Sequence, residues 1–282
     1  MRNCKNCGAS APPISSQHSY VCEYCSTKNV DEDYFKELAR TSDLGKSDRH
    51  AQLGINAYVS DQFDVAEKHF EASVLEHDKN AQVWIYLALC KASLLSASNF
   101  DKNIKAVNDS ISRAHSIEGD SDVVTSGKIA IFDKLTSRVV NISDYFFETA
   151  HKTYVALGKS KDAANSATSD VVRGAERIAT LSHYHVTDSQ DYASLIIDGL
   201  GQVMFYDQKG ANSTALKQTM QSLESELLSV FDKNPDLILR SLDHHAENGN
   251  LVRRLLSAQR SGSLAMPPEE KKSKGFLSKF FS

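Results

Sequence analysis

Apolar residues recur at three- and four-residue steps along most of this chain, the period of helices with one buried face. From Ser47 to Asn80 the apolar and small positions are Leu53, Gly54, Ala57, Phe63, Ala66 and Phe70. Asp61-Gln62 interrupts them as a turn, so two short helices are expected there. A second pair follows, with Trp84, Leu87 and Ala88 on its first helix. Ile104, Ala106, Val107, Ile111 and Ala114 form one face of its second helix, beyond a lengthened turn at Ser96-Ala97-Ser98-Asn99. Val123 to Leu157 reads as one or two helices, through Ile129, Phe132, Leu135, Val139, Ile142 and Phe146. Residues 158–170 are rich in Ala, Ser and Lys and fit either a loop or a weak helix. Val171–Tyr184, Asp191–Tyr206 and Ser213–Phe231 are further helices. A turn at 207–210 divides the last two, and Asn234-Pro235 stops the third. Asp236–His245 and Asn250–Gln259 make a final pair.

Composition narrows the class. Gly and Pro number only 13 and 5, too few for the many turns of a sandwich or barrel, so the chain should be mainly α. A hydrophobic fraction of 41% and a charged fraction of 24% are ordinary for a globular protein. The net charge of -4 provides no basic field for nucleic acid. No apolar run nears the ~20 residues that span a bilayer, and no secretory leader is evident.

The N-terminus departs from the helical pattern. Cys4-Lys5-Asn6-Cys7 and Cys22-Glu23-Tyr24-Cys25 are two CxxC units separated by residues 8–21. Each unit presents two thiolates from one tight turn, and zinc takes four such ligands tetrahedrally. Gly8 suits the positive φ of such a turn. Ser19-Tyr20-Val21 is expected as a short strand delivering the second pair. Residues 1–30 resemble a zinc ribbon. With all four positions filled by Cys4, Cys7, Cys22 and Cys25, the Zn2+ is expected to be structural, with no open position for water. A ribbon of about thirty residues buries too little surface to fold unaided, so the metal would supply the folding energy. Its few basic and aromatic residues favour a protein-facing or structural ribbon over a nucleic-acid-binding one. Cysteines used for metal imply a reducing compartment, hence a cytoplasmic setting.

The offsets from 47 to 80 resemble a tetratricopeptide repeat, and the second pair follows in register, to about residue 118. The repeat's terminal Pro is replaced by Asp78-Lys79-Asn80, and the second turn is longer than the pattern. The resemblance implies stacked helical hairpins with a concave face for a protein partner. Asn56, Tyr58, Trp84 and Lys91 are the residues expected on that face.

The expected organisation is therefore a zinc ribbon over 1–30, a connecting helix and loop over 31–46, and tetratricopeptide-like repeats over 47–118. A helical domain follows over 119–260, then a linker and tail over 261–282. The tail combines Lys271, Lys272, Lys274 and Lys279 with Phe276, Leu277, Phe280 and Phe281 at helical spacing. It fits an anchor on an anionic membrane, a motif that docks on a partner, or a segment folded back on its own body.

Catalytic motifs are not found. Gly158-Lys159-Ser160 ends like a phosphate loop, but Thr153 stands where the first Gly belongs. His183, His185, His244 and His245 read as surface or helix-end histidines, and Cys90 reads as a small packed hydrophobe. The sequence thus points to a non-enzymatic adaptor or scaffold that binds protein partners. A nucleic-acid-binding ribbon and a tail-anchored peripheral membrane protein are the alternatives.

Overall fold

The computed structural model describes residues 49–184 and 189–244, two short strands ahead of them, and Val252. The strands are β1 (Ser19–Val21) and β2 (Lys28–Val30), paired antiparallel with Ser19 opposite Val30 and Val21 opposite Lys28. The strand expected at Ser19-Tyr20-Val21 is present. Everything else described is helical or a connection between helices, so the fold is mainly α. The expected connecting helix after Val30, the expected helix over 250–259 (Val252 apart), the cysteines Cys4, Cys7, Cys22 and Cys25 and the tail aromatics Phe276, Leu277, Phe280 and Phe281 lie outside the described residues.

The chain divides into two compact units between Arg138 and Val139. That division falls inside a helix, well past the boundary expected at 118/119. In the first unit, α1 (Arg49–Val59) and α2 (Phe63–Glu76) form one hairpin, and α3 (Ala81–Ser93) and α4 (Phe100–Glu118) form the next. α2 also packs on α3, so the hairpins stack. Asp61 takes a left-handed φ of 57° to make the first turn. Gly54 lets α1 approach the Phe70 ring so closely that a Cβ there would lie 2.7 Å from it. Phe70 in turn stacks on Tyr86 of α3, at 5.4 Å between centroids. One side-chain size at position 54 therefore sets the spacing of three helices. Gly54→Leu should cost roughly 2–3 kcal/mol through overpacking, read as a lower denaturant midpoint with unchanged slope.

Asn80 caps α3, its side-chain oxygen accepting from the Gln82 and Val83 N–H groups. The lengthened turn after α3 is closed by Asn99, which accepts from the Ser96 N–H and donates to the Leu94 carbonyl. Apart from Gln82 and Trp84, every residue of α3 is buried. A helix buried on all sides is a core helix. One side of it is closed by the start of α5 (Asp122–Ala156), where Gly127 admits Ile85; a Cβ at 127 would lie 2.6 Å from that side chain.

The second unit takes α5 from Val139 onward, α6 (Lys161–Ala179) with a 3-10 turn at Thr180–Tyr184, α7 (Gln190–Gln208), α8 (Thr214–Lys233) and α9 (Pro235–His244). The segment 158–170, open between loop and weak helix in the sequence, is turn and then helix. Ser160 caps α6, accepting from the Ala163 N–H. Ala163, Ala164, Ala167 and Ala175 are fully buried, so the alanines form a close-packing surface rather than a loop. Gly174 faces Phe147, and its carbonyl accepts from the buried Ser143 hydroxyl at 3.0 Å. α6, α7 and α8 pack on one another, and α9 lies on α7 and α8. Pro235 opens α9 where its missing N–H is harmless.

Candidate functional site

The first candidate is the cysteine segment. Pairing of Val21 with Lys28 makes residues 22–27 the connection of a β-hairpin. Cys22 and Cys25 belong to that connection by sequence, and Cys4 and Cys7 precede β1. A donor set of four thiolates suits zinc in a closed site.

The second candidate is the stack of hairpins, where the four partner-facing residues separate into two groups. Asn56 is exposed; its side chain accepts from the Gln52 amide at 3.4 Å. Trp84 is half-buried, and its indole N–H donates to the Asp78 carbonyl at 2.8 Å. Tyr58 is a correction. It is 5% exposed, with its ring edge-on to Phe63 and Tyr86, so it belongs to the core. Lys91 is the other correction, at 8% exposure. Its Nζ lies 2.6 Å from Glu67 and 2.7 Å from Glu71, both on α2. Asn56 and Tyr58 lie on α1, and Trp84 and Lys91 on α3. The apolar pattern carried no information that α3 would be covered on its remaining side.

The charge on Lys91 is held by those carboxylates. Burial alone favours the neutral amine, but hydrogen bonds and attraction from Glu67 and Glu71 outweigh it and raise the pKa above the ordinary 10.5. Stability from this cluster is therefore fully present below 10.5 and is lost as pH climbs through the raised value. Thermal midpoints should be insensitive to this group at neutral pH. In strong alkali the natural chain should lose more stability than a Lys91→Met chain.

With the α3 face closed, apolar exposure in the first unit lies elsewhere. Leu53 on α1, and Val65 and Leu75 on α2, are its exposed large apolar side chains among the described residues; Leu75 is 87% exposed. The sequence pattern counted Leu53 among the apolar positions of the hairpin, and passed over Val65 and Leu75, which fall off the stripe marked by Ala66 and Phe70. An apolar residue off the buried stripe was the signal available.

A third feature is a shallow groove in the second unit between α6 and the start of α8. Lys161, Asn165, Thr168, Arg173 and Ser213 line it. Three of its polar side chains are engaged in the fold. The Asn165 Oδ1 accepts from the Asn212 N–H, the Thr168 hydroxyl donates to the Ala164 carbonyl, and the Ser213 hydroxyl caps α8 by accepting from the Leu216 N–H. The phosphate-loop-like Gly158-Lys159-Ser160 is a turn and cap: Gly158 and Lys159 both have positive φ.

The other buried titratable groups pack similarly. Burial, and then Glu67, pushes the Cys90 thiol far above its ordinary value, away from the thiolate that reacts. The Tyr192 hydroxyl donates to Glu226 at 3.0 Å, joining α7 to α8, and burial pushes its pKa up strongly. Tyr192→Phe should cost about 1–2 kcal/mol, measured by denaturant unfolding. His50 and His69 approach to 5.8 Å, and His183 is exposed. Among the described residues no group of three or more His, Cys, Asp or Glu side chains is arranged to hold a metal. Nor is any helix among them long and apolar enough to cross a membrane.

The chain matches no protein-family model, no curated protein and no solved structure.

Proposed function

We propose that this chain is a non-enzymatic adaptor or scaffold that binds a protein partner through the outer surface of its first helical hairpin. The observation that carries the reading is the contrast between α3 and that surface. α3 is enclosed by its own chain, whereas Leu75 of α2 stands in water and Leu53 of α1 and Val65 of α2 are each 37% exposed. Apolar side chains that form one exposed patch on a rigid helix pair can anchor a protein contact, with polar neighbours fixing register. Asn56 is exposed on the same helix as Leu53 and supplies such a group. The stacked hairpins support kinship with tetratricopeptide-like repeats, with the contact moved from the concave face to the outer one.

In this reading residues 1–30 form a zinc ribbon. Cys4, Cys7, Cys22 and Cys25 would hold Zn2+, and the hairpin register between β1 and β2 supports the second pair as one knuckle. The metal would fix the fold of the segment and leave no position for a substrate.

The test is affinity purification of the intact chain beside a Leu53→Lys/Leu75→Lys chain and a chain ending at residue 260. A stoichiometric protein recovered by the intact and shortened chains, and lost from the double variant, fits the proposal. Recovery by the double variant at the same level rejects the outer hairpin surface.

A further inference from the structure

The outer surface of the first hairpin has an order of its own along α2. Val65, Lys68, Ala72 and Leu75 follow one another at steps of three, four and three residues. That alternation is the seam of a helix that pairs lengthwise with another helix. Val65, Lys68 and Leu75 are exposed and Ala72 is half-buried, so the seam lies open among the described residues. Phe70, two residues from both Lys68 and Ala72, is fully buried on the far side of the helix. The neighbouring helices flank the seam without covering it. On one side His50 of α1 approaches Glu76 at 3.8 Å, and on the other Lys91 of α3 holds Glu71 at 2.7 Å.

The seam is symmetric. Val65 and Leu75 stand at equal distances before and after position 70, and so do Lys68 and Ala72. A two-fold axis through that position, perpendicular to α2, sets Val65 against Leu75 of an antiparallel second copy, and Lys68 against its Ala72. Apolar side chains then meet at both ends. In the middle, the small Ala72 leaves room for the lysine stem, and Glu76 one turn on offers its carboxylate to the ammonium. Lys68 makes no ion pair among the described residues, and the second copy supplies one. A parallel copy would instead set Lys68 against Lys68, which repulsion opposes.

We propose that the protein bound on the outer hairpin surface is a second copy of this chain, paired through antiparallel α2 helices about a two-fold axis at position 70. The inference rests on the outer-surface reading above and names its occupant. The 14 residues of α2 run about 21 Å, so the contact is small. Pairing is therefore weak and follows concentration, with a dissociation constant of roughly 10–100 micromolar. It presents every other surface of the chain twice, as a scaffold requires.

The experiment measures the mass of the purified full chain by light scattering, from about 1 to about 300 micromolar to bracket that constant. The natural chain should pass from one copy to two. Val65→Glu and Leu75→Lys, both at exposed positions, should each weaken pairing about tenfold or more at unchanged circular dichroism. An equal mixture of the two variants should pair like the natural chain. The antiparallel register sets their substituted positions against each other with opposite charge and keeps Val65 against Leu75 at the other end. A natural chain that stays single across the range, pairing that survives both substitutions, or a mixture that stays single each overturn the proposal. A chain that stays single here, with a partner still lost from the Leu53→Lys/Leu75→Lys chain in the affinity recovery, removes the second copy and leaves the outer-surface reading standing. Recovery of that partner by the Leu53→Lys/Leu75→Lys chain removes both.

Discussion

Serine at Cys22 and Cys25 is expected to strip the chain of zinc and leave its helices standing. The natural chain should carry one zinc per molecule, and the variant less than about a tenth of that, read by elemental analysis of dialysed protein. The apparent free energy of binding at structural zinc sites is large, about 10–16 kcal/mol at neutral pH. A thirty-residue segment has no core that replaces it. Residues 1–30 of the variant should therefore unfold, and trypsin should cut faster at Arg2, Lys5 and Lys28. The described helices all lie beyond residue 48, so far-UV circular dichroism should change little. Cobalt in place of zinc should give the intense visible absorption of a tetrahedral thiolate site. A natural chain that binds no zinc, or whose zinc survives the loss of both cysteines, excludes the ribbon reading.

Lys91→Met should produce the largest loss of stability in the helical part, about 2–4 kcal/mol and roughly 5–10 °C in melting temperature. The lysine draws Glu67 and Glu71 of α2 toward α3, and its backbone carbonyl accepts from Asn103 of α4. Removing the cation leaves two carboxylates crowded beside a helix that is buried on nearly every side. Glu71 is half exposed and can turn to water, which keeps the expected loss below that of a fully enclosed pair. The triple change Lys91→Met, Glu67→Gln and Glu71→Gln should recover part of it, because a neutral cluster has no orphaned charge. Equal stability of the single and triple variants, by denaturant unfolding, contradicts this account of the cluster.

Much of the helical architecture was legible because small residues and turn residues mark it. Gly54 and Phe70 announced the approach of α1 to α2, Asp61-Gln62 the turn between them, and Asn234-Pro235 the end of α8. What failed was burial, and for one physical reason. A helical stripe states which residues face a neighbour, not how many neighbours arrive. Tyr58 and Lys91 were read as surface because nothing local records that α5 presents Gly127 to Ile85. The alanines at 163, 164 and 167 were ambiguous for the converse reason: small side chains give little periodic signal yet allow the closest packing. β2 was not foreseen, since Lys28-Asn29-Val30 contains one apolar residue and depends on its partner for pairing. The cysteine spacing was plain in the sequence, but it carries nothing about what residues 1–30 face.

The central claim is that a partner binds the outer surface of α1 and α2. The most direct measurement is the mass of the complex recovered with the intact chain, by light scattering, beside the same preparation from the Leu53→Lys/Leu75→Lys chain. The account predicts a complex of fixed stoichiometry with the intact chain, and only free chain, with an unchanged melting temperature, from the double variant. A complex of the same mass from both chains would contradict it.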